Sequence, residues 1–417
     1  MADFKRGKGF ADIFEPESRV YSLIEENARR VFSSCGYTEL RTPIMEQTEL
    51  FARGIGAETD VVQKEMYSFP DKKGRSMTLR PEATAGVMRA YIENNCHARE
   101  SISRFFSYGP MFRYERPQKG RMRQFHQINC ECIGASEPMA DAEIILMLMR
   151  FMRSLKLEGL TLQLNSLGCP ECRPAYHKAL GQFLAALDSE ALCEDCRRRR
   201  ETNPLRVLDC KIPGCRELTD AAPKILDANC PACREHFGAV LRALDRTGLP
   251  YALNHRLVRG LDYYNRTTFE VVSSSIGAQG AVAGGGRYDG LVKQLGGPDV
   301  PGVGFACGME RLAMMIGEIQ SPPPDFYLAV LDDSALEEAQ AIAQRLREAG
   351  RRGEVSYAAR SLKSQLRQAS KNGAVNCLLL GGNEIATRSV TVKNMQTGGQ
   401  ETVSLDALTD FLERTRP

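Results

Sequence analysis

The sequence predicts a multidomain protein of mixed α+β and α/β class. An antiparallel-sheet core flanked by helices is followed by a small α/β domain. Polar and apolar residues alternate from Phe105 to Ile133, as in an antiparallel sheet with one face lining a site. A helical block rich in cysteine and arginine interrupts the strand series between residues 166 and 250. After residues 321–324, Ser-Pro-Pro-Pro, strands and helices alternate.

Length and composition are those of an ordinary globular protein. The 417 residues suggest two or three domains at roughly 150 residues each. With 43% hydrophobic and 26% charged residues, a fibrous or largely disordered chain is excluded. No apolar run approaches the ~18 residues that span a bilayer, and the N-terminus has no apolar signal core. We expect a cytoplasmic protein with no membrane association; a net charge of +3 neither requires nor excludes a nucleic-acid partner.

The core domain is predicted to cover residues 1–165 and 251–320. A helix over residues 18–34 is indicated by the 3.6-residue period of its apolar positions. The extended stretch after it contains Pro43, which favours an edge or interface position. The other predicted strands are 76–79, 103–108, 111–114, 124–134, 267–273 and 302–307, and the predicted helices are 82–94 and 141–155.

The C-terminal domain is predicted to cover residues 325–417, after the linker 321–324, where consecutive prolines cannot continue a helix. Its segment 345–371 carries eight Lys and Arg against two acidic residues. Such a patch could contact nucleic-acid phosphates, or it is a solvated helix face. The predicted strands are 325–331, 354–358, 374–380, 389–394 and 401–404, and the predicted helices are 336–349, 361–372 and 406–414.

The segment from Phe112 to Phe125 combines charge with an aromatic residue. Arg113 and Glu115 are two residues apart on a strand, so they point to the same face. A basic loop containing Arg121 leads to Phe125. These side chains could neutralise a phosphate, accept from an exocyclic amine and stack on a base. The alternative is a surface salt bridge beside a solvated loop.

Three other segments combine glycine with arginine or tyrosine. Residues 302–311 end in Arg311, residues 257–265 contain Arg259 and Tyr264, and residues 284–290 contain Tyr288. Glycines let a strand approach a ligand closely, and Gly-rich turns expose backbone N–H groups. The first segment has no GKS or GKT ending, so it is not a Walker A loop. The alternatives are a Gly-kinked strand packed on a helix and tight turns with ordinary tyrosine anchors.

Two further groups of polar residues indicate a binding pocket. In Arg80-Pro81-Glu82-Ala83-Thr84, a normal helix start, Glu82 and Thr84 could accept from an ammonium group. Gln127, Asn129 and Glu131 recur at period two on one predicted strand and therefore share a face.

Eight of the fourteen cysteines lie between residues 169 and 233. Cys-x-x-Cys pairs can provide tetrahedral zinc sites, and eight thiols are enough for one or two of them. We therefore hypothesise structural zinc in the insertion; the alternative is free buried thiols in a domain that folds without metal. The candidate ligands are Cys169, Cys172, Cys193, Cys196, Cys210, Cys215, Cys230 and Cys233.

In their order along the chain, these segments resemble the histidyl-tRNA synthetase family of class II aminoacyl-tRNA synthetases, over essentially the whole length. Residues 36–44, 112–125 and 302–311 resemble class II motifs 1, 2 and 3. Residues 257–265 and 283–290, with Arg80-Pro81-Glu82, resemble the histidine-specific signatures. Class I signatures are absent from the sequence.

The resemblance implies a histidine–tRNA ligase with a class II catalytic core and a C-terminal anticodon-binding domain. Such an enzyme activates L-histidine with ATP and Mg²⁺ and transfers it to the terminal ribose 3′-hydroxyl of tRNA(His), as a homodimer. The implied ATP-binding residues are Arg113, Glu115, Arg121, Phe125 and Arg311. The implied histidine-binding residues are Glu82, Thr84, Gln127, Glu131, Arg259, Tyr264 and Tyr288. Catalysis is assigned to Arg259, Arg113 and Arg311.

Two rival functions remain at the level of sequence. One is the synthetase-like regulatory subunit of ATP phosphoribosyltransferase, a binding protein that lacks the tRNA-binding domain and has eroded catalytic motifs. The other is a class II synthetase for another amino acid, such as proline or threonine. The intact arginines and the residues after Pro324 count against the first, and the two histidine signatures count against the second.

Overall fold

The computed structural model describes residues 4–57, 59–276 and 280–414. The chain divides into two compact units, Met1–Ile319 and Gln320–Pro417. Within the described ranges, no helix has both the length and the apolar character to cross a membrane.

The strands described in the first unit are β1 (Thr38–Glu39), β2 (Met45–Gln47), β3 (Tyr67–Pro70), β4 (Ser76–Leu79), β5 (Ser103–Phe112), β6 (Gln124–Ile133), β7 (Leu160–Ser166), β8 (Ala252–Leu253), β9 (Asn265–Ser273), β10 (Ala281–Arg287) and β11 (Gly302–Gly308). Its α-helices are α1 (Glu17–Ser33), α2 (Thr48–Ile55), α3 (Thr84–Glu93), α4 (Cys96–Arg99), α5 (Pro138–Ser154), α6 (Arg173–Ala185), α7 (Glu194–Thr202), α8 (Leu205–Leu208), α9 (Pro213–Leu218), α10 (Pro231–Arg246), α11 (Leu291–Gln294) and α12 (Met309–Ile316).

The first unit is built on an eight-stranded sheet in the order β1-β5-β6-β11-β10-β9-β7-β8. Only the two edge pairs, β1–β5 and β7–β8, are parallel. A smaller antiparallel sheet has the order β2-β4-β3. The long sequence between β7 and β8 is helical and holds α6 to α10. The structure thus has the predicted antiparallel core with a helical insertion.

The two faces of β6 have opposite characters. Ile128, Cys130 and Cys132 are buried in the apolar core together with residues of α1 and α5. The ring of Phe32 in α1 anchors this layer, because its centroid lies 5.1 Å from that of Phe151 and 5.8 Å from that of Phe305. On the other face, Gln127, Asn129 and Glu131 are polar and lie outside this core. One side of the sheet is therefore packed with helices, and its other side is available for a site.

Three details differ from the predictions. One continuous strand, β5, replaces two predicted strands, because Gly109 and Pro110 continue its pairing with β6. The strand β7 was not predicted. The interpretation of residues 284–290 as a Gly-rich turn was wrong, because residues 284–287 lie inside β10 in the middle of the sheet. There a Cβ atom on Gly285 would lie 2.1 Å from the carbonyl oxygen of Gly304, so the glycine permits close strand packing.

The second unit has a five-stranded mixed sheet in the order β13-β12-β14-β15-β16. The pairs of β12 are parallel and those of β15 are antiparallel, which agrees with the predicted mixed sheet. Helix α13 packs its buried face, including Ile342 and Leu346, against this sheet. The elements are β12 (Phe326–Val330), α13 (Leu336–Glu348), β13 (Gly353–Val355), α14 (Leu362–Lys371), β14 (Asn376–Leu380), α15 (Gly382–Ala386), β15 (Ser389–Asn394), β16 (Gln400–Ser404) and α16 (Leu408–Arg414).

Candidate active site

A cavity of about 930 Å³ lies on the polar side of the eight-stranded sheet. Ten of the twelve predicted ATP- and histidine-binding residues line it, although they are distant in the sequence. The two that do not line it are Glu131 and Tyr288. The lining residues are Glu82, Thr84, Arg113, Glu115, Arg121, Phe125, Gln127, Arg259, Tyr264 and Arg311.

One corner of the cavity groups two arginines around a carboxylate. Nη1 of Arg121 lies 3.1 Å from Oε2 of Glu115, and Nη1 of Arg113 lies 3.9 Å from Oε1 of the same residue. Nε of Arg113 donates to the carbonyl oxygen of Pro81 at 2.8 Å, which fixes the guanidinium. That guanidinium lies 5.4 Å from the ring centroid of Phe125. This corner offers an aromatic face, an acceptor and positive charge within a few ångströms.

Arg311 adds positive charge at another part of the wall. It lies in the first turn of α12 and donates to the backbone carbonyl of Ala281. Burial lowers the pKa of Arg311, and the nearby positive charge of Arg121 lowers it further. The positive charges of Arg121 and Arg311 make this part of the wall suited to a polyanionic ligand.

Arg259 is held by an ion pair that the sequence did not reveal. Its Nη1 donates to Oε2 of Glu270 at 2.8 Å, and its guanidinium lies 5.6 Å from the ring centroid of Tyr264. Its Nε is buried without a hydrogen-bond partner among the described residues. A Cβ atom on Gly284 would lie 2.3 Å from Nη1 of Arg259, so the glycine provides the space that this side chain occupies.

The start of α3 and strand β6 form a polar pocket. The carboxylate of Glu82 accepts from the backbone N–H groups of Thr84 and Ala85 at 2.6 and 2.9 Å, and so caps the helix. Oε1 of Gln127 and Oδ1 of Asn129 are buried and have no hydrogen-bond partner in the described part of the chain. Buried acceptors without partners are costly, so this pocket is suited to a ligand that donates hydrogen bonds.

Glu131 lies behind the lining residues. One of its carboxylate oxygens accepts from Oγ1 of Thr84 at 2.7 Å, and the other accepts from the hydroxyl of Tyr288. Burial raises the pKa of Glu131 to about 8, against the lowering effect of these hydrogen bonds. A Cβ atom on the facing residue Gly304 would lie 2.0 Å from the Glu131 carboxylate. The glycines of β11 thus make room for the polar side chains of β6.

Sequence reasoning missed two acidic residues in this region. Glu270 pairs with Arg259, and the period-two pattern of polar residues in β9 could have indicated it. Asp60 accepts from Arg198 and Arg199 at 3.0 and 3.1 Å. No local pattern predicts that contact, because its partners are separated by about 140 residues of sequence.

The eight cysteines of the insertion separate into two groups that could each hold a metal ion. Within each group, the four sulfur atoms all lie within 4.8 Å of one another. The outer thiol site consists of Cys169, Cys172, Cys230 and Cys233, and the inner thiol site consists of Cys193, Cys196, Cys210 and Cys215.

Comparisons with known proteins agree with this architecture. A family model described as histidyl-tRNA synthetase matches residues 9–312, and one described as anticodon binding domain matches residues 325–415. The histidine–tRNA ligases of Oleidesulfovibrio alaskensis and Nitratidesulfovibrio vulgaris are 67% and 65% identical over 410 and 408 residues, covering 98% of each chain. The crystal structure of apo S. aureus histidyl-tRNA synthetase is 35% identical, with a TM-score of 0.81 over 98% of this chain and all of that one.

Proposed function

Because the chain belongs to the histidyl-tRNA synthetase family and charges tRNA with histidine, we propose that its cavity forms histidyl-adenylate from L-histidine and ATP. The observation that carries this proposal is a set of buried polar atoms in the cavity wall that have no hydrogen-bond partner among the residues the structure describes. Oε1 of Gln127 and Oδ1 of Asn129 are acceptors, and Nε of Arg259 is a donor. An α-amino acid brings both complements, an ammonium donor and a carboxylate acceptor.

The first reaction is an in-line displacement at the α-phosphorus of ATP. A carboxylate oxygen of histidine forms the new P–O bond, and pyrophosphate leaves with the electrons of the broken bond. Arg259 neutralises the histidine carboxylate and the α-phosphate, and Arg113 also binds the α-phosphate. Arg311 binds the β- and γ-phosphates. Catalysis rests on positioning and charge neutralisation, with no covalent enzyme intermediate.

The adenine is assigned to the corner around Glu115. Phe125 stacks on the base, Glu115 accepts from its exocyclic amine, and Arg121 helps to neutralise the phosphates. When bound, Mg²⁺ supplies further positive charge on these phosphates. The carboxylate of Glu270 on the cavity wall is an oxygen donor that would hold such an ion.

Recognition of histidine is assigned to the polar pocket. Glu82, Thr84 and Gln127 bind the α-ammonium group, and Tyr264 binds one imidazole nitrogen. Glu131 is assigned to the other nitrogen, which requires Thr84 to release the carboxylate oxygen that it covers. Tyr288 acts through Glu131, to which it donates a hydrogen bond. A site that hydrogen-bonds both ring nitrogens rejects isosteres lacking them by roughly 10⁴-fold.

The same proposal includes the tRNA transfer step, the role of the second unit, the homodimer and bound zinc. In the second reaction, the 3′-hydroxyl of the terminal ribose of tRNA(His) attacks the adenylate carbonyl, and AMP leaves. The second unit binds the anticodon, the enzyme is a cytoplasmic homodimer, and the clustered cysteines bind structural zinc. The domain boundaries at residues 165/166, 250/251 and 320–325 stay predictions.

The decisive experiment is ATP–pyrophosphate exchange with purified protein. We expect exchange that depends on histidine and is absent with proline or threonine. Charging of tRNA(His) with labelled histidine should follow. A regulatory subunit would bind histidine without exchange, so absence of histidine-dependent exchange in folded protein would overturn the proposal.

A further inference from the structure

The spacing of the sulfur atoms in the outer thiol site is that of a metal-bound tetrad. The Sγ atom of Cys169 lies 3.5 Å from that of Cys172 and 3.9 Å from that of Cys230, and Cys172 lies 3.8 Å from Cys233. Four thiolates bound tetrahedrally to zinc at about 2.3 Å have sulfur atoms about 3.8 Å apart. A disulfide requires about 2.05 Å, and all these cysteines are free.

The inner thiol site has similar spacing in a separate place. The Sγ atoms of Cys193 and Cys210 are 3.9 Å apart. Backbone N–H groups also point at the sulfur atoms: the N–H of Cys193 donates to Cys215 at 3.2 Å, and that of Cys196 donates to Cys193 at 3.4 Å. These hydrogen bonds hold the sulfur atoms of Cys193 and Cys215 in place within the group.

The outer thiol site lies where the insertion joins the core. Next to Cys230, Nδ2 of Asn229 donates to Oγ of Ser166 at the end of β7, at 2.9 Å. Next to Cys172, Arg173 donates to the backbone carbonyl of Tyr264. An ion at this site would therefore cross-link the two chain segments that enter and leave the insertion.

The inner thiol site lies where the insertion forms a wall of the cavity. Cys193 is the N-cap of α7 and accepts from the N–H of Cys196. This helix carries Arg198 and Arg199, which donate to Asp60, a lining residue of the cavity from the core domain. The insertion residues that line the cavity include five cations, Arg198, Arg199, Arg206, Lys211 and Arg216, against the two anions Asp195 and Asp209.

We infer that the eight cysteines hold two zinc ions in two separate four-thiolate sites, and that the inner ion fixes the basic wall of the cavity. The α7 helix has only nine residues, four of which are consecutive arginines, and Arg198 and Arg199 already pair with Asp60. An ion at its N-cap adds a second anchor, at the first turn of this short helix. This inference rests on the proposed function: in the transfer step, the basic wall receives the polyanionic end of the tRNA.

The metal content of full-length protein, purified without chelator, tests the two sites. We expect about two zinc ions per chain in the wild type and about one in C193S/C196S, in C210S/C215S and in the matched outer pair C169S/C172S. Wild-type protein with about one zinc or less, or with iron in its place, would overturn the proposal. So would inner variants that keep both ions. The two inner pairs check each other if one of them folds poorly.

The role of the inner ion is tested by comparing the two reactions. For C193S/C196S, we expect histidine-dependent pyrophosphate exchange within about threefold of wild type and tRNA charging, as kcat/KM for tRNA, at least tenfold lower. R198A/R199A keeps both thiol sites and should give the same split with two zinc ions bound. Unchanged charging, or an equal loss in both reactions, would overturn this role. Failure of the proposed function would instead show as no exchange in the wild type, whatever its zinc content.

Discussion

Arg259 is the residue whose proposed role in ligand binding can be tested most directly by substitution. It pairs with Glu270 and keeps its Nε free of partners among the described residues, facing the cavity. We predict that Arg259→Ala slows adenylate formation by roughly 10²-fold or more, the scale for losing a preorganised charged contact. Pyrophosphate exchange measures this. The exposed Arg153→Ala serves as the control, and near-normal exchange by R259A would refute the assignment.

Gly284 leaves the space that the guanidinium of Arg259 occupies. The clash of a new Cβ atom is with the tip of a flexible side chain, so Arg259 would move away rather than the strand unfold. We predict that Gly284→Ala lowers exchange by at least about tenfold while the melting temperature changes by only a few degrees. Gly181→Ala, where a Cβ atom would meet nothing within 4 Å, is the matched control. A large loss of melting temperature in G284A would argue for a purely structural role.

Glu131 gives the protein a defined dependence on pH. Its pKa rises on folding, from its ordinary value near 4.5 to about 8, because it is buried. Between these values the unfolded chain holds fewer protons at this site than the folded chain, so stability falls as pH rises, by up to about 1.4 kcal/mol per unit. We predict that Glu131→Gln, which mimics the protonated group, gains melting temperature relative to wild type from pH 5 to pH 8.

The exposed residue Glu26 provides the control for that series. The melting temperature of Glu26→Gln should follow that of the wild type across the same pH range, because the substitution changes an exposed side chain and removes no buried carboxyl group. If the difference in melting temperature between E131Q and wild type does not change with pH, then burial does not raise the pKa of Glu131.

At the scale of secondary structure, hydrophobic periodicity and the positions of glycine and proline placed most of the predicted elements to within a few residues. The strand at residues 389–394 has the predicted ends, and α1 differs by one residue at each end. Besides the unpredicted strand β7, the main exception is β10, since its three glycines have the composition of a turn. Tertiary contacts explain why glycine occurs there: neighbouring strands approach Gly285 and Gly286 too closely for a side chain, and the guanidinium of Arg259 occupies the space beside Gly284.

The sequence predicted which residues form the site, but it did not predict the contacts between them. Alternation along β6 indicated that Gln127 and Glu131 share a face, and the structure agrees. Which of them contacts the cavity depends on Thr84 and Tyr288, which arrive from other elements and cover Glu131. Contacts of this kind are set by tertiary packing, and no local sequence pattern encodes them.

Helix α14 carries a cationic stripe in the second unit. Lys363, Arg367 and Lys371 are exposed and spaced four residues apart, so they lie on one face. Other members of the predicted basic patch have structural partners: Arg351 pairs with Glu413 at 3.3 Å, and Arg352 donates to the carbonyl oxygens of Pro322 and Pro323. The stripe is therefore a continuous part of the patch that is suited to bind RNA.

We predict that the triple variant K363A/R367A/K371A weakens tRNA binding and flattens its salt dependence. Each lost phosphate contact should reduce the slope of log K against log salt by about 0.7 to 0.9. Binding titrations at several salt concentrations measure this, with pyrophosphate exchange as an internal control that should not change. An unaltered slope would identify the stripe as a solvated helix face.

At the scale of the whole molecule, each of the two units has its own apolar core. All residues assigned to histidine and ATP lie in the first unit. We predict that deleting the residues after Pro324 preserves histidine-dependent exchange to within about tenfold and raises the KM for tRNA by at least about tenfold, the loss of one or two phosphate contacts. Little change in that KM would count against RNA binding by the second unit.

The position of β11 has a consequence for synthesis of the protein. Although it is the last strand of its sheet to be translated, it lies between β6 and β10. Until residue 308 has left the ribosome, the nascent chain holds two partial sheets whose open edges can pair with other chains. A transcript that ends between residues 290 and 300 should thus yield an aggregating product that depends on chaperones.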